Sequence, residues 1–514
     1  MSAKRWTLIA VVLGSATVFL DTTVVNVALP RIGEELPATV VGVLEGQSYV
    51  TNGYLLTLSA LLILAGALGD VYGRRRVFTI GLVGFGVTSV LCGLAPSMEL
   101  LIAFRLLQGA FGALLVPASL SIIRATFEGA EQGRAFGIWA AASAATTTLG
   151  PPLGGLLVDT VSWRVAFLIN APVAAVALYA AVRHVSETRE RDRRARFDWL
   201  GAAVVALAVG GLSYGLIRGQ EKVWADASAF VALAVGVAAT VALPFVMGLR
   251  RDPLVPLSLF RSRNFTVTNA STFLIYGALY VSSAYQAIFV QGTVGYSAMA
   301  AGMLGLPIGI MLAFFSTPIG ALAGRRGPRA FMAVGPLLMG IGLLWLARMP
   351  YDTTAWHASA GDVASLIPPV SYLVDFLPSI LLFAFGIAIL VAPLTTALMA
   401  SVPVTHAGLA SAINNAISRV GPLIAGAVIF VAITGAFYAG LAARVPGLDP
   451  NAADVRATIP PLNRPDPRVP AGQIAAARDA STDAFRLAMA VAAGLCLLGG
   501  AVNAVGIRND QPTG

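Results

Sequence analysis

In the first half of the chain, an acid and an arginine lie well inside long apolar stretches, where a charge is costly. Asp21 lies in the first stretch, at about 7–29, and Arg105 in the fourth, at about 99–123. Charged side chains in hydrocarbon usually pair with one another and mark paths for ions or protons. Asp21 could take up and release a proton, and an arginine nearby would modulate its proton affinity. Each residue also has a structural alternative: hydrogen bonds between helices for Asp21, and bonds to a neighbour's carbonyl groups for Arg105.

The positions of these residues along their stretches support a pairing. Asp21 lies eight residues before the end of its stretch, and Arg105 lies six residues after the start of its own. At a helical rise of about 1.5 Å per residue, the depths are about 12 Å and about 9 Å. We therefore predict that the two side chains lie at similar depth below the same surface.

The composition indicates a membrane protein. Of the 514 residues, 57% are hydrophobic and 11% are charged, and the mean hydropathy is +0.79. The apolar residues come in runs of about 20, the length that crosses a bilayer as a helix. The net charge of +9 is concentrated in short loops, which is typical of an orientation signal and not of a nucleic-acid surface.

We predict an all-α fold with fourteen transmembrane helices. Residues 1–197 would form an N-terminal six-helix bundle, 198–250 an inserted helix pair, and 251–514 a C-terminal six-helix bundle. Long outer loops are expected at 350–372 and 435–481, and the second, rich in proline and mixed charges, could be partly disordered.

A short basic loop appears twice. Gly66-Ala-Leu-Gly-Asp-Val-Tyr-Gly-Arg-Arg-Arg76 separates the second and third apolar runs, and Gly320-Ala-Leu-Ala-Gly-Arg-Arg-Gly-Pro-Arg329 repeats it in weaker form. Gly73 aligns with Gly327, whereas Asp70 aligns with Gly324, so the second copy lacks the acid. Two halves built on one plan are typical of transporters with internal repeats.

The remaining residues argue against other classes of protein. The lysines are Lys4 and Lys222, and neither follows a glycine as a phosphate-binding loop requires. Both cysteines lie in apolar runs, and the three histidines are far apart in sequence. We therefore expect no metal site, no cofactor and no enzymatic activity. A channel is disfavoured by the repeat and by the lack of a filter-like segment.

The first basic loop resembles the signature between the second and third helices of the major facilitator superfamily. The resemblance implies an inner gate formed by Gly66, Asp70, Gly73, Arg74 and Arg75. Asp70 could pair with arginines and with the exposed amides of a neighbouring helix.

Further stretches resemble the fourteen-span drug:proton antiporters of that superfamily. They are Asp21-Thr-Thr-Val-Val-Asn-Val-Ala-Leu-Pro30, Arg105-Leu-Leu-Gln-Gly109, and an antiporter-motif helix with Gly150, Pro151, Gly154 and Gly155. Thr146 departs from that motif, which usually has a glycine there. The resemblance implies that Asp21 and Arg105 couple transport to protons.

Polar and aromatic residues at helical spacing could line a substrate cavity or could simply pack helices. The candidates are Asn26, Asn269, Tyr276, Tyr280 and Asn415. Together with the resemblance, these residues predict a proton-coupled exporter of small amphipathic compounds. It would be a multidrug efflux protein that works by alternating access. The alternative is an exporter or carrier of a lipid or a specific metabolite in the same fold. We expect a multi-pass protein of a bacterial cell membrane with both termini in the cytoplasm.

Overall fold

The chain folds into helices. The computed structural model describes residues 3–37, 43–188, 197–221, 224, 226–359 and 362–509. The first eight long helices are α1 (Ala3–Glu35), α2 (Val43–Tyr72), α3 (Arg74–Gly93), α4 (Met98–Thr126), α5 (Gly129–Thr160), α6 (Val165–His184), α7 (Trp199–Glu221) and α8 (Ala227–Leu249). The other six are α9 (Arg263–Phe289), α10 (Leu306–Arg326), α11 (Arg329–Leu346), α12 (Leu377–Ala400), α13 (Ala407–Arg444) and α14 (Ala471–Gly506).

Apolar composition explains why these segments are helices. Backbone amides and carbonyls inside a bilayer must bond within the segment, and a helix achieves this. Thirteen of the helices in the described part of the chain are long and apolar enough to span a membrane. The fourteenth, α5, has 32 residues but is less apolar, because it contains many Thr, Ser and Gly residues. The all-α membrane fold predicted from the sequence is confirmed.

The helices pack in two groups and a pair. Helices α1 to α6 pack with one another, as do α9 to α14. Helices α7 and α8 pack mainly against each other, and α7 also contacts α2 and α13. The outer side of α8 is apolar and exposed, as at Val231, Phe245 and Leu249, which suits a helix that faces lipid. The two groups meet through α2 and α13, and through α5 and α10.

Both ends of the described chain lie at one end of the bundle, which we call the basic end. Lys4 pairs with Glu131 at the start of α5, at 2.5 Å. The backbone amide of Arg329, at the start of α11, donates to Asn509 at 3.0 Å. The end of α10 and the start of α5 are also in close contact at Gly324 and Ala130. The α2–α3 and α10–α11 turns, with their arginines, therefore lie at the same end.

The segment between α13 and α14 is shorter than the sequence suggested. Helix α13 continues to Arg444 and α14 begins at Ala471, so the connection is 445–470 instead of 435–481. The alanine-rich ends of both helices favour helical structure beyond the apolar run. The connection is packed and not extended into solvent: Leu462 is buried, and its carbonyl accepts a hydrogen bond from Thr293 at 2.9 Å.

Candidate functional site

Asp21 and Arg105 form an ion pair inside the first group of helices. Arg105 Nη1 lies 2.5 Å from Asp21 Oδ2, and the side chains of Arg105 and Asp21 are 1% and 0% exposed. Asp21 Oδ1 accepts hydrogen bonds from Gln108 Nε2 and Asn170 Nδ2, both at 3.0 Å. Both carboxylate oxygens therefore have donors, as a buried charge requires.

The arginine is held as firmly as the acid. Its Nε donates to the Val50 carbonyl at 3.0 Å, and its Nη1 donates to Gln108 Oε1 at 2.7 Å. The Tyr54 ring lies 4.1 Å from the guanidinium carbon, a distance at which a cation and an aromatic face attract. Helices α1, α2, α4 and α6 therefore converge on one charge pair.

The sequence around Arg105 explains how α4 presents this site. Arg105 and Gln108 are three residues apart, so they lie on one face of the helix. Gly109 follows, and a Cβ there would overlap Thr57 and the backbone of Tyr54. Glycine thus lets α2 approach closely enough for Tyr54 to cover the guanidinium.

A second buried ion pair lies at the basic end, where the two groups of helices meet. Asp70, near the end of α2, accepts from the backbone amides of Gly408 at 3.1 Å and Leu409 at 2.8 Å. These amides belong to the first turn of α13, whose exposed N–H groups and dipole attract anions. Arg74 donates to the same carboxylate at 3.1 Å and to the Val404 carbonyl. The pair therefore joins the first group of helices to the second.

The glycines and the other arginine of this loop act through the backbone. Gly73 has φ of 108°, which L side chains rarely adopt. Gly66 approaches the Gly408 carbonyl, and a Cβ there would lie 2.5 Å from that of Ala412. The Arg75 amide donates to the carboxylate of Glu187 at 3.1 Å. Glu187, just after α6, thus caps the first turn of α3.

The glycines of α5 bring that helix against α1 beside Asp21. A Cβ on Gly150 would overlap Thr23, and one on Gly154 would lie 3.1 Å from the Cα of Val24. Gly155 has more room, since its nearest neighbour would be Val27 at 3.8 Å. The side chain of Pro151 lies outside the described part of the chain.

A central cavity lies between the two groups of helices, in two adjoining lobes of about 340 and about 350 Å³. Phe19, Thr147, Tyr280, Ser418 and Arg419 line both lobes. Tyr276 and Asn415, also candidates from the sequence, line the second lobe. On α2, α5, α10 and α13 the close contacts between the groups lie nearer the basic end than the cavity does.

Two candidates from the sequence lie elsewhere. Asn269 is buried between α9 and α13, where it donates to the Phe265 carbonyl at 2.9 Å and accepts from Asn414 at 3.1 Å. Its role is helix packing, because its polar atoms are used by neighbours. Asn26 is exposed and accepts a hydrogen bond from Thr51 at 3.5 Å. Of the three candidates on α9, Tyr276 and Tyr280 are among the described residues that line the cavity.

Several residues of these sites are not among the candidates predicted from the sequence. Gln108, Ser89 and Tyr54 complete the charge pair, and Glu187 caps α3. Gln108 could have been found, because it lies one helical turn from Arg105. Ser89 and Tyr54 are ordinary residues of apolar helices, so only the packing identifies them.

Comparison with known proteins identifies the family and the fold of the chain. The Major Facilitator Superfamily model matches residues 11–426. The human organic anion transporter MFSD10 has a similar fold, with a TM-score of 0.59 at 17% identity over 97% of this chain and 99% of its own. At that identity the likeness concerns the fold alone.

Relatives with higher identity are bacterial. The multidrug resistance protein Stp of Mycobacterium tuberculosis is 35% identical over 82% of this chain and 74% of its own. The puromycin resistance protein pur8 of Streptomyces alboniger is 32% identical over 85% and 84%. The tetracenomycin C resistance and export protein of Streptomyces glaucescens is 31% identical over 84% and 76%. From this match and these identities, the chain belongs to the Major Facilitator Superfamily.

Proposed function

We propose that the chain exports small amphipathic compounds in exchange for protons, by alternating access to its central cavity. The observation that carries the proposal is the place of Asp21 on α1. Asp21 faces the interior of the first group of helices, whereas its neighbours Phe19, Thr22 and Thr23 line the cavity. One helix therefore carries both the titratable acid and part of the substrate wall.

Protonation of Asp21 would change the forces on α1. The carboxylate holds α1 to α4 and α6 through donors from Arg105, Gln108 and Asn170. A neutral acid attracts Arg105 much less strongly. Loss of this attraction would free α1 to shift, and its cavity face would move with it. Substrate in the cavity would favour one arrangement of the helices, and a proton on Asp21 would favour the other.

The relatives support the class of compound. Their names refer to multidrug resistance, puromycin resistance, and tetracenomycin C resistance and export. Resistance is the property that these names share, and the tetracenomycin C protein is also named for export. A cavity lined by aromatic, aliphatic and small polar side chains suits amphipathic organic molecules.

The distribution of arginine supports an orientation. The basic end carries the arginine-containing turns 74–76 and 325–329 and both ends of the described chain. Short cytoplasmic loops are enriched in arginine and lysine. We therefore place the basic end and both termini in the cytoplasm. The structure would then represent a state in which the cavity is closed toward the cytoplasm by the Asp70 contacts.

The coupling is tested with Asp21→Asn, which keeps the size of the side chain but cannot titrate. In proteoliposomes with an imposed pH gradient, the variant is expected to bind a fluorescent amphipathic compound but not to accumulate it uphill. Asp252→Asn, an exposed acid before α9, is the matched control and should transport normally. Uphill accumulation by Asp21→Asn at the wild-type rate would remove Asp21 from the coupling mechanism.

A further inference from the structure

The central cavity contains one charged residue among the described residues that line it. Its other polar groups are the neutral side chains of Ser, Thr, Asn, Tyr and Trp. The charged residue is Arg419, which lines both lobes. A guanidinium stays protonated in proteins, so this wall of the cavity is positive.

Arg419 cannot place its charge in water by extending along the helix. It lies twelve residues after the start of α13 and 25 residues before its end, about 18 Å and about 37 Å along the axis. Arginine side chains reach the interface only from positions near helix ends. The charge is therefore held at the cavity.

Arg419 is partly buried and lacks the partners that the buried arginines of the two ion pairs have. Its Nε atom is buried and has no hydrogen-bond partner in the described part of the chain. By contrast, Arg105 and Arg74 each reach a carboxylate at 2.5 and 3.1 Å. Asp21 cannot serve Arg419 in this state, because its two oxygens already accept from Arg105, Gln108 and Asn170. A buried guanidinium nitrogen without an acceptor is costly, so a ligand that brings an acceptor atom would complete the site.

Aromatic side chains line the same cavity as Arg419. Phe19 and Tyr280 line both lobes, Tyr276 and Trp139 line the second, and the two tyrosine rings lie 6.3 Å apart. Such rings contact a flat apolar body, while a guanidinium binds a carboxylate in a bidentate manner.

We infer that the cavity binds amphipathic aromatic anions, with the anionic oxygen atoms of the ligand paired to Arg419. The inference rests on the proposed function, because it names the class of compound exported. It also excludes organic cations as the preferred ligands, since the described lining offers them no carboxylate and repels them through Arg419.

The test uses three probes that share a pyrene ring and differ in charge: pyrenebutyrate, pyrenebutanamide and a pyrenebutyl trimethylammonium salt. Binding to the purified full-length protein in non-ionic detergent is followed by pyrene fluorescence. A charge-assisted bidentate contact predicts that wild type binds the carboxylate roughly tenfold to a hundredfold more tightly than the amide. The ammonium salt should bind most weakly.

The Arg419→Gln variant should lose this preference and bind the carboxylate and the amide equally. Arg419→Lys should retain part of it, because the charge remains but the bidentate geometry is lost. Arg261→Gln, in the exposed connection before α9, is the matched control and should bind like wild type. Tighter binding of the ammonium salt by wild type, or an unchanged carboxylate-to-amide ratio in Arg419→Gln, would overturn the inference.

Equilibrium binding separates this inference from the proposed function. A carboxylate preference that depends on Arg419, without uphill transport of any probe, would support the anion site and contradict proton-coupled export. Uphill transport of the ammonium salt but not of pyrenebutyrate would support export and contradict the anion site.

Discussion

The two basic turns of the repeat have nearly the same backbone but different chemistry. Gly73 in the first and Gly327 in the second have φ of 108° and 85°. Each following helix is capped from the end of its own half: the Arg75 amide donates to Glu187, and the Arg329 amide donates to Asn509. The two turns therefore share a glycine with positive φ and a side-chain cap on the following helix. The weak sequence repeat shows only part of this similarity.

Both turns also bring one half of the molecule against the other. Gly66 of α2 packs on the Gly408 carbonyl in α13, and Gly320 of α10 would place a Cβ 2.5 Å from the Gly133 carbonyl in α5. The two crossings differ at the residue that lies one helical turn closer to the basic end. Asp70 bonds to the start of α13, whereas Gly324 only packs against Ala130 at the start of α5.

Backbone packing and charge pairing are therefore separate functions of the loop. Glycine contacts occur at both crossings, so close packing is needed at both. The buried Asp70–Arg74 ion pair occurs at one of the two crossings. That crossing should therefore contribute more to the stability of the closed basic end. Three substitutions test whether the two crossings differ in this way.

The largest effect is expected from Asp70→Asn. The change leaves Arg74 as a buried charge without its carboxylate and weakens the acceptor for the α13 amides. Breaking a buried ion pair on one side costs about 3–5 kcal/mol, so we expect transport to fall more than tenfold and the basic end to open more often.

Opening can be followed by thiol labelling of Ser411→Cys. Ser411 is buried on α13, one turn toward the basic end from cavity residue Asn415, and the native Cys92 and Cys496 are buried. Labelling should be faster with Asp70→Asn and unchanged with the control Asp252→Asn. Full transport and unchanged labelling in Asp70→Asn would show that this contact is not a gate.

A smaller effect is expected from Gly320→Ala at the second crossing. The added methyl group would meet the Gly133 carbonyl at 2.5 Å, so the helices must separate. Overpacking of this kind costs about 1–3 kcal/mol, and the closed state should be weakened by about 5- to 150-fold. Labelling of Ser411→Cys measures the shift.

The control for this change is Gly494→Ala in α14, where a Cβ would meet no atom within 4 Å. It should label like the parent protein. If Gly320→Ala opened the basic end more than Asp70→Asn does, the two crossings would have the opposite ranking from the one proposed here.

The sequence predicted the fold better than it predicted the cavity. Runs of apolar residues identify membrane helices directly, because length and hydropathy are local properties. Asp21 and Arg105 could also be identified from the sequence, because each is a charged residue inside an apolar stretch. Their depths pointed to the ion pair that the structure contains at 2.5 Å.

Residues that depend on helix rotation were harder to predict. Asn269 and Tyr276 share one helical stripe, yet Asn269 packs against Asn414 while Tyr276 reaches the cavity. Arg419 and Asn415 are polar residues of the same helix, and the sequence does not show which of them lacks a partner. What distinguishes Arg419 is the absence of a described partner for its Nε atom, which depends on all the helices around it.

The smallest effect, and the most direct test of the comparison, is expected from Gly324→Asp. This change restores the missing acid to the second turn. A Cβ at Gly324 would lie 3.3 Å from the Cα of Ala130, so the side chain can fit with a small adjustment. Its carboxylate would face the first turn of α5, where amide groups and the helix dipole favour a negative charge by about 0.3–1 kcal/mol.

The gain should be limited, because Glu131 of the same turn is already paired with Lys4 at 2.5 Å and would repel a second acid. On its own, Gly324→Asp should therefore slow labelling of Ser411→Cys by about two- to fivefold. In the Asp70→Asn background it should restore part of the lost closure, whereas Gly324→Asn, similar in size but uncharged, should restore less. Equal effects of the acid and the amide would mean that the second crossing responds to bulk alone. The asymmetry between the turns would then lie in packing and not in charge.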